Sequence, residues 1–231
     1  MAANHRAEAP EYELKNQGMP GDLVSHAQGS RLDDDDDDDE DDDERKDKQE
    51  NVKIQFDLLK KQRMIMICEV VTPKLTERVT SQLLWLNSQN TDPIRILINT
   101  PGGSADDGFA IHDMLRFSEA PIFNISTGLN ASAGTIILLG TPNERRVCTP
   151  NARLMIHQPS GGGHGRASDL EITAEEILKL RHRANELIAL ECGRTVEQVE
   201  KDTDRDYWLD PDEAIEYGLV SKVIGSFNEI R

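Results

Sequence analysis

The sequence contains no stretch of 18 apolar residues and no apolar run near its start that would make a signal h-region. Membrane spanning and export are therefore not expected of it. It carries no stripe of Lys and Arg to meet phosphates, which excludes nucleic acid as an expected partner. Cysteine is scarce: Cys68, Cys148 and Cys192 are an odd count with no C-x-x-C spacing. Neither a disulfide framework nor a zinc site suits such an arrangement, so reduced thiols in a cytoplasmic protein are expected. G-x-S-x-G and phosphate-binding P-loop motifs are also absent. No cofactor and no metal is expected.

What the chain has in excess is acid. Its 43 Asp and Glu against 26 Lys and Arg give a net charge of -17, of which the unbroken run Asp33–Glu44 supplies -12. The remainder is only mildly acidic, a common state for a soluble fold. Residues 1–50 are polar, with scattered Pro and Gly, and have too little apolar surface to offset the entropy of ordering. They are expected to form a disordered acidic tail, and residues 51–231 a single domain.

From Val52 the pattern changes. Met64–Cys68 reads as a buried strand. Thr72 reads as an N-cap with Pro73 at the first helical position, followed by Leu75, Val79, Leu83 and Leu86 at helical spacing. Ile94–Ile98 is a second strand, bounded by Thr100-Pro101-Gly102-Gly103. Ser104 then caps a helix with Ala110, Met114 and Phe117 on one face. Ile122–Ser126 is a third strand, followed by a turn at Gly128 and an apolar segment, Thr135–Leu139. Strands near Arg146–Cys148 and Leu154–Ile156 come next. Beyond them lies a long helix at about 169–191 with Ile177, Leu180, Ala184, Leu187 and Glu191 on one face. Asp210-Pro211-Asp212-Glu213 starts a last helix, Gly218 stops it, and Val220–Ile224 closes the chain as a strand. Alternation of strand and helix with short links predicts an α/β fold of crossover units on a largely parallel sheet.

Two glycine-rich elements follow successive strands. Gly102-Gly103 permits close backbone approach. Gly128–Gly134 sets Ser132 among small residues where a helix begins, so that unpaired amides and the positive helix end would face an oxyanion there. A serine at a helix start is ordinarily a cap, and alone it does not indicate catalysis. His157 ends a strand and opens into a glycine-rich loop, a place where function is commonly carried. His112 and His182 read as locally bonded surface histidines, and Asp206 stands among acids whose default is solvation.

Five segments taken in order change that reading. They are Ile98–Gly103, Ala131–Gly134, Met155–Pro159, Asp202–Asp206 and Glu213–Val220. Over about Phe56 to Ile224 the chain resembles the ClpP family, the proteolytic subunits of the Clp ATP-dependent protease. The resemblance implies the ClpP/crotonase-like fold with a protruding handle helix at 169–191. It implies a Ser-His-Asp endopeptidase with Ser132 as nucleophile, His157 as base and Asp206 orienting the imidazole. The amides of Gly103 and Ala133 would be the oxyanion donors. It further implies a homo-oligomer of two heptameric rings around a chamber, with Gly161–Gly165 lining it and Asp204 and Arg205 bridging the rings. An AAA+ unfoldase ATPase of the Clp type would feed it unfolded polypeptide, and short peptides would also be cut.

Several positions depart from the family pattern. Ala133 stands where methionine is usual, implying a wider or differently shaped pocket, and Thr135 replaces an alanine. Arg95 and Leu97 replace aromatic residues that dock the ATPase, while Phe117 keeps an apolar member of that patch. No axial N-terminal loop is recognisable. These departures leave open a divergent or regulatory ring subunit with little catalysis of its own, including mixed rings with a paralogue. A crotonase-like acyl-thioester enzyme shares the general fold but does not need this Ser-His-Asp order.

Overall fold

A computed structural model of the protein describes residues 37–162 and 164–230, with side chains from Glu50 onward. The chain divides into Met1–Glu44 and Arg45–Arg231. Of the expected disordered tail, residues 1–36 lie outside the described residues, and the rest, to residue 50, falls within a helix, α1 (Asp37–Gln62). Its leading acids and its final Lys60 and Lys61 carry the signs that suit the two ends of a helix dipole.

The second unit holds a seven-stranded sheet. Strand β1 (Met64–Ile67) leads through α2 (Pro73–Gln89) to β2 (Ile94–Thr100), and α3 (Ala105–Phe117) leads on to β3 (Ile122–Ala131). A short α4 (Ala133–Leu138) precedes β4 (Arg146–Cys148) and β5 (Arg153–Ile156). Then come α5 (Ala167–Cys192), α6 (Val196–Asp202), β6 (Tyr207–Leu209), α7 (Pro211–Tyr217) and β7 (Lys222–Val223). Strands run β1-β2-β3-β4-β7, all parallel; β5 also joins β3 in parallel, and β6 pairs antiparallel with β5. The α/β class and the largely parallel sheet are those anticipated.

The caps are where the sequence puts them. Thr72 Oγ1 accepts the Leu75 amide at 3.3 Å, with Pro73 leading α2. Ser104 caps α3 through the Asp107 amide, and Asp210 and Glu213 form a reciprocal capping box at α7. Leu75, Val79, Leu83 and Leu86 of α2 are buried against the sheet core with Ile65, Ile96 and Ile98. Each such side chain contributes about 1.5–3 kcal/mol of burial.

Three expectations need correcting. Ala110, Met114 and Phe117 do not form one apolar face of α3: its buried residues are Gly108, Phe109, Ile111, His112 and Leu115, Met114 packs partly buried beside them, and Ala110 and Phe117 are exposed, Phe117 by 76%. Gly108 lets α3 approach α4 on that side: a Cβ there would stand 3.1 Å from Ala133. His112 is accordingly buried, not a surface histidine, with Nδ1 2.9 Å from Asp113 Oδ1. Finally, Gly128 does not end β3. It sits at φ +53° in a bulge where the register passes from Ile98↔Ser126 to Thr100↔Asn130. Asn99 Oδ1 fills the space a Cβ would need there and accepts the Leu129 amide at 3.0 Å.

The bulge has a topological result. Residues 124–126 of β3 pair with β4, whereas residues 129–131 pair with β5. Strand β3 therefore has two successive partners on one side, and the sheet forks where Ser132 follows. Helix α5 buries Ala184, Asn185, Ile188 and Ala189, and Leu180 and Arg183 pack on Phe109; before them, from residue 167, the helix is largely exposed, as a handle would be. Among the described residues no helix is long and apolar enough to cross a membrane.

Candidate active site

Ser132 occupies the single residue between β3 and α4, at φ 57° and ψ -122°. A non-glycine residue held there costs about 1–3 kcal/mol and persists only where its surroundings over-determine it. Its hydroxyl makes no capping bond to α4. Instead, Ser132 Oγ lies 2.8 Å from His157 Nε2. The Ser132 amide donates to the Met155 carbonyl at 2.9 Å, one of the two hydrogen bonds that make the last β3–β5 pair, Ala131↔Met155.

His157 is the first residue after β5, and its Nδ1 lies 3.1 Å from Asp206 Oδ1. That contact follows from the antiparallel β5–β6 register. Because Ile156 faces Tyr207, the residues just beyond the ladder, His157 and Asp206, lie opposite one another. A second clamp holds the loop: the Gln158 amide donates to the Thr203 carbonyl at 2.7 Å, and Gln158 Nε2 to the Asp204 carbonyl at 2.8 Å. Thr203 is itself buried and donates to Asn185 Oδ1 on α5 at 3.0 Å. The His157 side chain is 24% exposed and that of Asp206 60%.

The glycine loop lies against the serine. A Cβ on Gly102 (φ +92°) would stand 2.7 Å from Ser132 Cβ, and one on Gly103 (φ +150°) would fall on the Val71 backbone. The loop is pinned by Val71 N–H to the Gly102 carbonyl at 2.8 Å and by Ser104 N–H to the Val71 carbonyl at 2.9 Å. Gly103, Ser132, Ala133 and His157 all line one pocket of about 350 Å³, whose apolar wall includes Ile136, Leu180, Ala184 and Ile188. Ala133 is 2% exposed, and its methyl packs towards Gly108. The small residue at 133 thus brings α4 close to α3. Among the described residues no group of three or more His, Cys, Asp or Glu could hold a metal ion.

The structure brings all five sequence-predicted residues, Gly103, Ser132, Ala133, His157 and Asp206, around this pocket or its edge. It places Arg95 over the Phe227 ring at 5.1 Å, and Leu97 with Ile125, Val147, Ile224 and Ile230. Residues 161, 162, 164 and 165 are loop; Gly163 lies outside the described residues. Sequence reasoning missed β6, α6 and the Gln158 clamp. It also missed Arg146, whose fully buried guanidinium donates to Glu191 Oε2 at 3.2 Å and to the Glu191 carbonyl at 2.8 Å. Arg116 holds the other Glu191 oxygen at 2.9 Å, so this carboxylate links α3, β4 and α5 behind the pocket. Burial pulls the Arg146 pKa down from its ordinary value, opposed by Cys192 and Glu191. Thr195, which accepts the Gln198 amide, is a helix-start signal that could have revealed α6.

Comparison with known proteins agrees with this geometry. The family model described as Clp protease matches residues 46–227. The ATP-dependent Clp protease proteolytic subunit 3 of Rhizobium meliloti is 44% identical over 191 residues, covering 80% of this chain and 98% of that protein. Proteolytic subunit 2 of Gluconobacter oxydans is 47% identical over 172 residues, covering 74% of this chain and 77% of its own. A solved ClpP1 mutant from Listeria monocytogenes superposes with a TM-score of 0.70 at 41% identity, over 75% of this chain and 99% of that one.

Proposed function

The chain belongs to the Clp protease family, and from that premise we propose that it is a serine endopeptidase using Ser132, His157 and Asp206. One observation carries the reading: Ser132 Oγ, both imidazole nitrogens and Asp206 Oδ1 form a continuous relay at 2.8 and 3.1 Å. Ser132 attacks the scissile carbonyl carbon while His157 Nε2 takes its proton. Asp206 accepts from Nδ1–H, which fixes the tautomer and stabilises the imidazolium. The Ser132 amide is already committed to Met155, leaving the amides of Gly103 and Ala133 for the oxyanion, each worth about 3 kcal/mol in the transition state. The imidazolium then protonates the leaving amine. Water, activated by the same histidine, hydrolyses the acyl-enzyme.

Residues 51–231 are the peptidase domain in this reading. Substrates are unfolded polypeptides and short peptides, cut inside a chamber of two heptameric rings supplied by a Clp-type unfoldase ATPase in the cytoplasm. Support comes from the relatives, whose names describe proteolytic subunits of an ATP-dependent protease, and from the projecting part of α5, a surface suited to contact between rings. Ser132→Ala in purified protein should abolish peptide hydrolysis and labelling by a fluorophosphonate. Sedimentation should give the mass of fourteen subunits. Hydrolysis that survives Ser132→Ala would overturn the assignment of the nucleophile.

A further inference from the structure

We infer that Thr135 is a positioning residue, whose buried hydroxyl ties the nucleophile turn to the strand that carries His157. Thr135 is 1% exposed. Its Oγ1 donates to the Met155 carbonyl at 3.0 Å, the same oxygen that accepts the Ser132 amide at 2.9 Å. Its own amide donates to the Ser132 carbonyl, also at 2.9 Å. Three hydrogen bonds thus close a ring through Ser132, Thr135 and Met155, with both backbone polar groups of Ser132 inside it.

The ring has a use. Ser132 stands at φ 57°, and an unfavourable torsion persists only where neighbours hold it from more than one side. The β3–β5 ladder reaches Ser132 through its amide alone, in the last pair, Ala131↔Met155. The Thr135 side chain adds a second tie across the same gap, from α4 to β5. Met155 is two residues before His157, so the ring fixes the serine relative to the strand that delivers its base. An alanine at 135 would leave only the backbone bonds.

The inference rests on Ser132 and His157 acting as proposed, and the experiment separates the two. Thr135→Val removes the hydroxyl at nearly constant volume, Thr135→Ser keeps it, and Ser132→Ala runs in parallel. Thr135→Val should lower kcat on a short peptide by about tenfold, a fraction of the roughly hundredfold that a full ångström of misplacement costs. KM should stay within about twofold, since the pocket wall is kept and only the transition state loses. Labelling by a small fluorophosphonate should slow in the same proportion as kcat, and Thr135→Ser should restore both. Thr135 also borders the pocket, so a change in KM alone would mean that it acts through substrate binding and would overturn the inference, as would unchanged kcat in folded Thr135→Val. Equal kcat losses in Val and Ser variants would overturn it too. If Ser132→Ala stays active, the assignment of the site itself fails instead.

Discussion

Gly102→Ala tests how closely the glycine loop and the serine are fitted. The added methyl would lie 2.7 Å from the Ala131 carbonyl oxygen and 2.7 Å from Ser132 Cβ, against an ordinary contact of 3.4 Å or more. Neither obstacle is a flexible chain end, so the loop and the turn must part by about 0.7 Å, as overpacked sites do. Such overpacking costs about 1–3 kcal/mol. An L-residue at φ +92° adds about 1–2 kcal/mol. Stability should therefore fall by roughly 2–5 kcal/mol, read from the urea midpoint. The same displacement moves Ser132 relative to His157. At about a hundredfold per ångström, 0.7 Å gives a loss of roughly 25-fold in kcat. Peptide hydrolysis measured well below the unfolding transition separates the two effects. A variant with unchanged midpoint and unchanged kcat would refute the steric reasoning.

Two further outcomes follow from buried groups outside the relay. Glu191→Ala leaves Arg146, fully buried, with only backbone acceptors, so stability should drop by about 3–5 kcal/mol in a denaturant titration; a change below about 1 kcal/mol would show that the carbonyls suffice. Burial raises the thiols of Cys148 and Cys192 to about 11 from an ordinary 9.0. The folded state therefore holds protons that the unfolded chain releases, and stability should decline as pH rises from about 9 to 11. The double variant Cys148→Ala, Cys192→Ala should show a shallower decline in its alkaline urea midpoints, and an identical slope would discard the assignment to the thiols.

Much of the fold was legible because its signals are local. A threonine or serine before a helix and a proline at its first turn announce α2, α3 and α7 without reference to the rest of the chain. The parallel strands announce themselves as short apolar runs. What escaped is set by distant contacts. Strand β6 is only three residues long, two of them exposed, and it exists because β5 offers an antiparallel edge. Arg146 is legible in the sequence only as the start of a strand; the folded chain is what brings the Glu191 carboxylate beside its guanidinium. The same limit applied to the candidate site. Ser132, His157 and Asp206 each had an ordinary explanation when read singly. Their significance came from the order of five segments, and the distances that unite them arise from two ladders, β3–β5 and β5–β6. The Gly128 bulge reads as a turn because glycine marks both, and the difference lies in Asn99 across the strand.

The fork in the sheet also bears on how the chain tolerates change. Between Ser132 and His157 the backbone makes an excursion through α4 and β4, yet it leaves β3 and returns beside it at Arg153 through parallel pairs with residues 129–131. The sequence distance between Ser132 and His157 is therefore no part of the geometry that brings them together. Extra residues spliced at the exposed turn between Pro150 and Asn151 would lengthen the excursion and leave the Ala131↔Met155 pairing where it is. At the cost of the Ala152 N–H to Thr149 carbonyl bond that closes it, that turn can take a tag or a reporter while the β3–β5 pairs still bring His157 to Ser132.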